Sequence, residues 1–116
     1  MKALKGKGIT LSKPPGKYKA VRTTIDGHTF ASKAEAHRYQ HLKLLEKAGQ
    51  ITNLSLQPRY ALDVNNVHIA NYIADFRYWD ETGRVIEDVK GMKTPVYKLK
   101  KKLMLACHGI VIKEVM

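Results

Sequence analysis

Asp75, Asp88 and Lys90 are the residues of this chain with the strongest claim to chemistry. They lie in the stretch Tyr72-Ile-Ala-Asp-Phe-Arg-Tyr-Trp-Asp-Glu-Thr-Gly-Arg-Val-Ile-Glu-Asp-Val-Lys-Gly91, which reads as a β-hairpin. Residues 72–79 and 84–90 are rich in β-formers and flank the polar loop Asp80-Glu81-Thr82-Gly83. With that loop, Trp79 faces Arg84, and the antiparallel ladder sets Asp75 opposite Asp88. Carboxylates on facing strands are about 5 Å apart and repel; a divalent cation between them reverses the sign. Alternation with period two puts Lys90 on the face of Asp88, roughly 7 Å further along. Two hard oxygen ligands beside an ammonium suit Mg²⁺, which takes few carboxylates, keeps several waters and leaves positions for phosphate oxygens. The competing reading is that Asp80, Glu81, Glu87 and Asp88 are solvated charges on an exposed hairpin and Lys90 a gatekeeper at a strand end.

The elements that must position this hairpin are legible on either side of it. Residues 18–30 alternate loosely around Asp26-Gly27, a tight-turn pair, and form a small N-terminal hairpin. Ser32-Lys-Ala-Glu35 opens a helix that runs to Gly49. Glu35 serves a capping box there, or it shares an inward face with Tyr39 and Leu42 and reaches a metal site. His37 and His41 are one helical turn apart, but without the Glu of a zinc-protease helix and a third ligand they carry no zinc site. Residues 51–64 are β-prone, interrupted by Gln57-Pro58, and Asn65-Asn66 turns the chain into a strand over 67–79. Thr94-Pro95 supplies the cap and first turn of a second helix, residues 95–108, closed by Gly109. Val96, Leu99, Leu103 and Ala106 are its expected apolar stripe, Lys98, Lys101 and Lys102 its outer face. Lys100 sits at the edge, either snorkelling or pointing to the hairpin carboxylates. Residues 110–115 form a last strand.

Composition narrows the class of partner. The chain has 116 residues and 21 Lys+Arg against 10 Asp+Glu, a formal net charge of +11. That length holds one core, and the charge favours a polyanion, nucleic acid ahead of a membrane surface. No apolar run approaches the ~20 residues of a membrane span, and residues 1–17 lack the apolar middle of a signal peptide. Cys107 is the single cysteine, which excludes an internal disulfide and suits a reducing cytoplasm. Residues 1–17 carry five lysines among glycines and prolines and read as a flexible basic arm. It either tracks a phosphate backbone or merely solubilises the chain. With 9 Phe, Trp and Tyr residues, several at core positions, stacking platforms for single strands are few; Trp79 and Tyr97 are the candidates.

The order of helix, three strands, helix, strand, with Glu35 early on the first helix, Asp75 in the second core strand and Asp88-Val89-Lys90 in the third, resembles the PD-(D/E)xK nuclease superfamily. More narrowly, Tyr18-Lys-Ala, Asp26-Gly-His-Thr-Phe30, Ser32-Lys-Ala-Glu35, Leu56-Gln-Pro58, Ala74-Asp-Phe76, Asp88-Val-Lys-Gly91 and Thr94-Pro95 look like a small phage-borne family of unassigned function within it, related to Holliday-junction resolvases. The match runs from about Tyr18 to the C-terminus, with Ala74 where proline often precedes the aspartate.

The resemblance implies an α/β fold with a restriction-endonuclease-like core (αβββαβ) over residues 18–116, preceded by the arm. It implies that Asp75 and Asp88 bind Mg²⁺ directly, aided by the backbone carbonyl of Val89, with Glu35 binding directly or through water and Mn²⁺ able to substitute. Lys90 would orient the attacking water and stabilise the phosphorane. Gln57, Thr94, Lys98, Lys100 and Lys101 are candidates for substrate contacts. The expected activity is a Mg²⁺-dependent DNA endonuclease, a cytoplasmic homodimer acting on branched recombination or replication DNA. The alternatives are a nicking or duplex endonuclease without branch preference, and a non-catalytic basic nucleic-acid-binding module.

Overall fold

The structure, a computed structural model, describes residues 21–116; the basic arm over residues 1–17 lies outside the described residues. The fold is mixed α/β, with two helices and three separate sheets among the described residues. The chain divides into two units, Met1–Lys33 and Ala34–Met116. In the first, β1 (Thr23–Ile25) and β2 (His28–Phe30) pair antiparallel with Ile25 facing His28. Asp26 and Gly27 take φ of 54° and 79°, the two positive values that a two-residue primed hairpin turn requires.

The second unit contains α1 (Lys33–Lys47, from Ala34 on), β3 (Thr52–Leu56), β4 (Arg59–Val64), β5 (Val67–Ile73), β6 (Phe76–Asp80), β7 (Gly83–Val89), α2 (Pro95–His108) and β8 (Lys113–Val115). Four strands form its main sheet in the order β3-β6-β7-β8, antiparallel except for the parallel β7–β8 pair. A parallel pair needs a crossover, and α2 supplies it. Strands β4 and β5 form a separate antiparallel ribbon, closed by Asn65 and Asn66 at φ of 51° and 66°. Five strands therefore stand between the helices where three were expected. The last strand is also shorter than residues 110–115, because Ile110 and Ile112 are buried in the core before pairing begins.

The expected continuous strand over 67–79 is broken at Ala74–Asp75, and the cause is a backbone clamp. Pro58 has no N–H to offer a ladder, and Gln57 takes a φ of 52°. The Gln57 N–H donates to the Asp75 carbonyl at 3.0 Å and the Ala74 N–H donates to the Pro58 carbonyl at 3.1 Å. The chain thus leaves the main sheet after β3, makes the ribbon and re-enters at β6. Asp75 sits at the re-entry point.

The two faces of β7 point into different surroundings. Ile86 joins Leu62, Tyr72, Ala74, Tyr97, Met104, Ile110 and Ile112 in one apolar cluster, on the side of α2 and the ribbon. On the other face, Arg38 of α1 reaches Glu87, and α1 buries Ala36, Tyr39 and Leu42. Helix α2 ends as its sequence predicts: the Thr94 hydroxyl accepts from the Tyr97 N–H at 3.1 Å, and Gly109, at φ 68°, donates its N–H to the Leu105 carbonyl. Its buried face differs from expectation. Tyr97 and Met104 are buried, while Val96, Leu99 and Ala106 are exposed and Leu103 only partly covered. The stripe one position along wins because the Tyr97 hydroxyl also has a partner, Glu114, at 2.8 Å.

Candidate functional site

Strands β6 and β7 bring the two aspartates together. Their ladder pairs Trp79 with Arg84 and ends at Phe76 with Glu87, so the next position sets Asp75 beside Asp88. The turn is tighter than a four-residue loop, because Asp80 and Gly83 still pair and only Glu81 and Thr82 lie outside. The Asp75 N–H donates to the Glu87 carbonyl at 3.1 Å, and its carboxyl Oδ2 accepts the Val89 N–H at 2.7 Å. The amide of Val89 is thus engaged by Asp75, and the carbonyl of the same residue, which the resemblance offers to a metal, is not part of this bond. The Asp88 and Glu35 carboxyls both lie close enough to Asp75 to raise its carboxyl. The first turn of α1 therefore does deliver a third carboxyl.

Burial decides what this cluster is. Glu87 is 0% exposed and Asp88 1%, which overturns the reading of these two as solvated hairpin charges. Burial, followed by the Asp88 and Glu35 carboxyls, pushes the Asp75 carboxyl up to about 9, against the smaller opposing effect of the Val89 amide. Asp88 accepts a hydrogen bond at Oδ2 from the buried Tyr72 hydroxyl, whose proton is held by burial and by that carboxylate. Its Oδ1 lies 3.4 Å from the Lys90 ammonium. Lys90 also stands over the Tyr97 ring, 4.4 Å from its centroid, a cation–π contact that confines the ammonium beside Asp88. Its side chain is only 25% exposed.

On the opposite face of β7, Glu87 belongs to a different arrangement. Arg38 grips it with two N–H groups at 2.8 and 2.6 Å, the Tyr78 hydroxyl donates to it and Lys113 stands at 3.9 Å. These donors satisfy the buried carboxylate, so Glu87 holds α1 to the sheet. A cleft of about 720 Å³ opens beside it, between the end of α1 and the tip of the β6–β7 hairpin.

The remaining sequence candidates scatter. Gln57 contributes its backbone N–H to the clamp on Asp75, and its side chain is exposed. Thr94 is spent as the α2 cap. Lys101, expected on the outer face of α2, is turned to Glu114 at 3.0 Å. Lys98 is exposed and Lys100 half-buried, and among the described residues neither forms an ion pair with the hairpin carboxylates. His37 is exposed, and His41 Nδ1 accepts from Arg38 at 3.0 Å. Sequence reasoning missed Tyr72, Tyr97 and Glu114 as neighbours of the site. On an unbroken strand, Tyr72 and Asp75 fall on opposite faces; the break at Ala74 is what lets Tyr72 reach Asp88.

Among the described residues, no three His, Cys, Asp or Glu side chains are already gathered as a metal cage. The donor set nevertheless fits a hard divalent cation: carboxyl oxygens of Asp75 and Asp88 with Glu35 adjoining, in a pocket where Asp75 needs either a proton or a cation. No helix among the described residues is long and apolar enough to cross a membrane. Residues 15–111 match the family described as Protein of unknown function (DUF1064), and the chain belongs to that family. No curated protein and no solved structure matches it.

Proposed function

We propose that this DUF1064 protein is a Mg²⁺-dependent DNA endonuclease of the PD-(D/E)xK kind, its four-stranded sheet and two helices serving as a restriction-endonuclease-like core. One observation carries the reading: a buried aspartate, Asp88, and a partly buried one, Asp75, with a glutamate from the first helix beside them, lie next to an ammonium that is itself confined. Buried like charges destabilise a fold unless something neutralises them, and a substrate phosphate adds further negative charge that only cations can meet. Asp75 and Asp88 would hold Mg²⁺, with Mn²⁺ as a substitute, and Glu35 would complete the set. When bound, the metal supplies an acidified water and neutralises charge developing on the phosphate.

The chain's own groups do the rest. Tyr72 fixes one oxygen of Asp88, so the other faces Lys90. The Val89 amide fixes one oxygen of Asp75 in the same way. Lys90 orients the attacking water and offsets charge on the equatorial oxygens of the phosphorane. The net charge of +11 draws DNA to the surface, and a homodimer provides the two cuts that a duplex or junction requires. Branched DNA is the proposed substrate.

The test is to incubate the protein and its Lys90→Ala variant with four-way junctions, flaps, linear duplex and supercoiled plasmid, in Mg²⁺, Mn²⁺ or chelator. The reading expects metal-dependent cuts, junctions preferred, and loss of cutting in Lys90→Ala with DNA binding retained. Cutting by Lys90→Ala at the wild-type rate would remove the assignment, and equal rates on all substrates would remove the branch preference.

A further inference from the structure

Next to the acidic site, α2, β8 and the segment leading into α2 enclose a second cleft of about 430 Å³. Its floor is apolar, from Leu105, Ile110, Val111 and Ile112, and its rim carries Lys93, Lys98, Lys101 and Lys102. A single carboxylate, Glu114, enters this ring of ammonium groups. Oε1 of Glu114 lies 3.0 Å from Lys93, while Oε2 lies 3.0 Å from Lys101 and accepts the Tyr97 hydroxyl at 2.8 Å. Those donors, Lys93 first, hold the Glu114 carboxyl down to about 2. Lys98 and Lys102 are exposed and form no ion pair with a carboxylate among the described residues.

We infer that this cleft seats the DNA backbone phosphates flanking the one to be cut, and that Glu114 occupies the phosphate position when DNA is absent. The inference rests on the nuclease reading for its substrate class. Two ammoniums and a hydroxyl converging on one oxyanion form a donor set that a phosphate oxygen can use as readily as a carboxylate. Continuity supports the assignment. The Tyr97 ring lies under the Lys90 ammonium while its hydroxyl is on Glu114, and Glu114 is the β8 partner of Asp88 in the parallel ladder. One side chain, Tyr97, therefore touches both the acidic site and the cleft. Charge excludes a neutral peptide as the preferred occupant: four lysines against one carboxylate leave an excess that a polyanion satisfies.

The experiment is fluorescence anisotropy of a labelled DNA duplex with the full chain, Ca²⁺ replacing Mg²⁺, over a salt series. Lys98→Ala/Lys102→Ala should weaken binding about tenfold at low salt and reduce the slope of log K against log salt by about 1–2, as loss of phosphate contacts does. Glu114→Gln removes the competing charge and should tighten binding several-fold. Binding unchanged in the double variant, or weakened in Glu114→Gln, would overturn the inference. Tighter binding of polyglutamate than of DNA to the wild type would assign the cleft to an acidic protein instead. Cleavage assays separate the two readings: cutting with binding insensitive to the lysines removes this cleft and keeps the nuclease, whereas lysine-sensitive binding without cutting does the reverse.

Discussion

Replacing Asp75 by Asn should stabilise the metal-free protein at alkaline pH, and the structure sets the size of the effect. The Asp75 carboxyl is raised by burial, by Asp88 and by Glu35, to about 9, from an ordinary value of 3.8. Between those limits the folded chain holds a proton that the unfolded chain has lost, so stability falls as pH rises through the window. Below it both states are protonated, and above it both are charged, so the dependence vanishes at either end. The ceiling is about 1.4 kcal/mol per pH unit, hence about 2.7 kcal/mol between about pH 6 and about pH 8. Partial exposure of Asp75 to solvent screens this to roughly half. In a domain of this size that is a fall in Tm on the order of 5–10 °C. Asp75→Asn, which cannot titrate, should lack this component, and saturating Mg²⁺ should abolish it in the wild type by replacing the proton. Calorimetric melts of both proteins at several pH values, with and without Mg²⁺, measure it. Parallel pH profiles for wild type and variant would refute the reasoning.

Other outcomes follow from the same contacts. Arg38→Ala leaves Glu87 buried without its bidentate partner and should cost about 3–5 kcal/mol, seen as a large loss of midpoint in urea; Arg38→Ala/Glu87→Gln should recover part of it. Tyr72→Phe removes the hydroxyl that fixes Asp88, and should cut the proposed cleavage rate about tenfold or more while leaving DNA affinity intact, read in single-turnover kinetics. Thr94→Ala loses the α2 cap and should destabilise by about 0.5–2 kcal/mol, with no change in metal affinity measured by titration calorimetry.

Much of this arrangement could be read from short-range signals. Thr94-Pro95 and Gly109 bounded α2, Asp26-Gly27 and Asn65-Asn66 marked turns, and the pairing of Trp79 with Arg84 carried Asp75 to Asp88. These features depend on a few adjacent residues, where backbone sterics decide. What could not be read depends on partners distant in sequence. The face of α2 was ambiguous because Val96, Leu99, Leu103 and Ala106 make as good a stripe as Tyr97 and Met104 do. Only the sheet beneath, with Glu114 waiting for a hydroxyl, selects between them. The break at Ala74 required knowing that Gln57 and Pro58 would clamp it. Asp88 and Glu87 are adjacent in sequence, and which of the two serves the acidic cluster and which anchors α1 follows from register alone.

Titration calorimetry with Mn²⁺ addresses most directly whether the acidic pocket is a metal centre. Saturable binding of about one ion per chain is expected for the wild type, lost in Asp75→Asn and Asp88→Asn and retained in Lys98→Ala/Lys102→Ala. Absence of saturable binding in the folded wild type, or binding that survives both aspartate substitutions, would contradict the account.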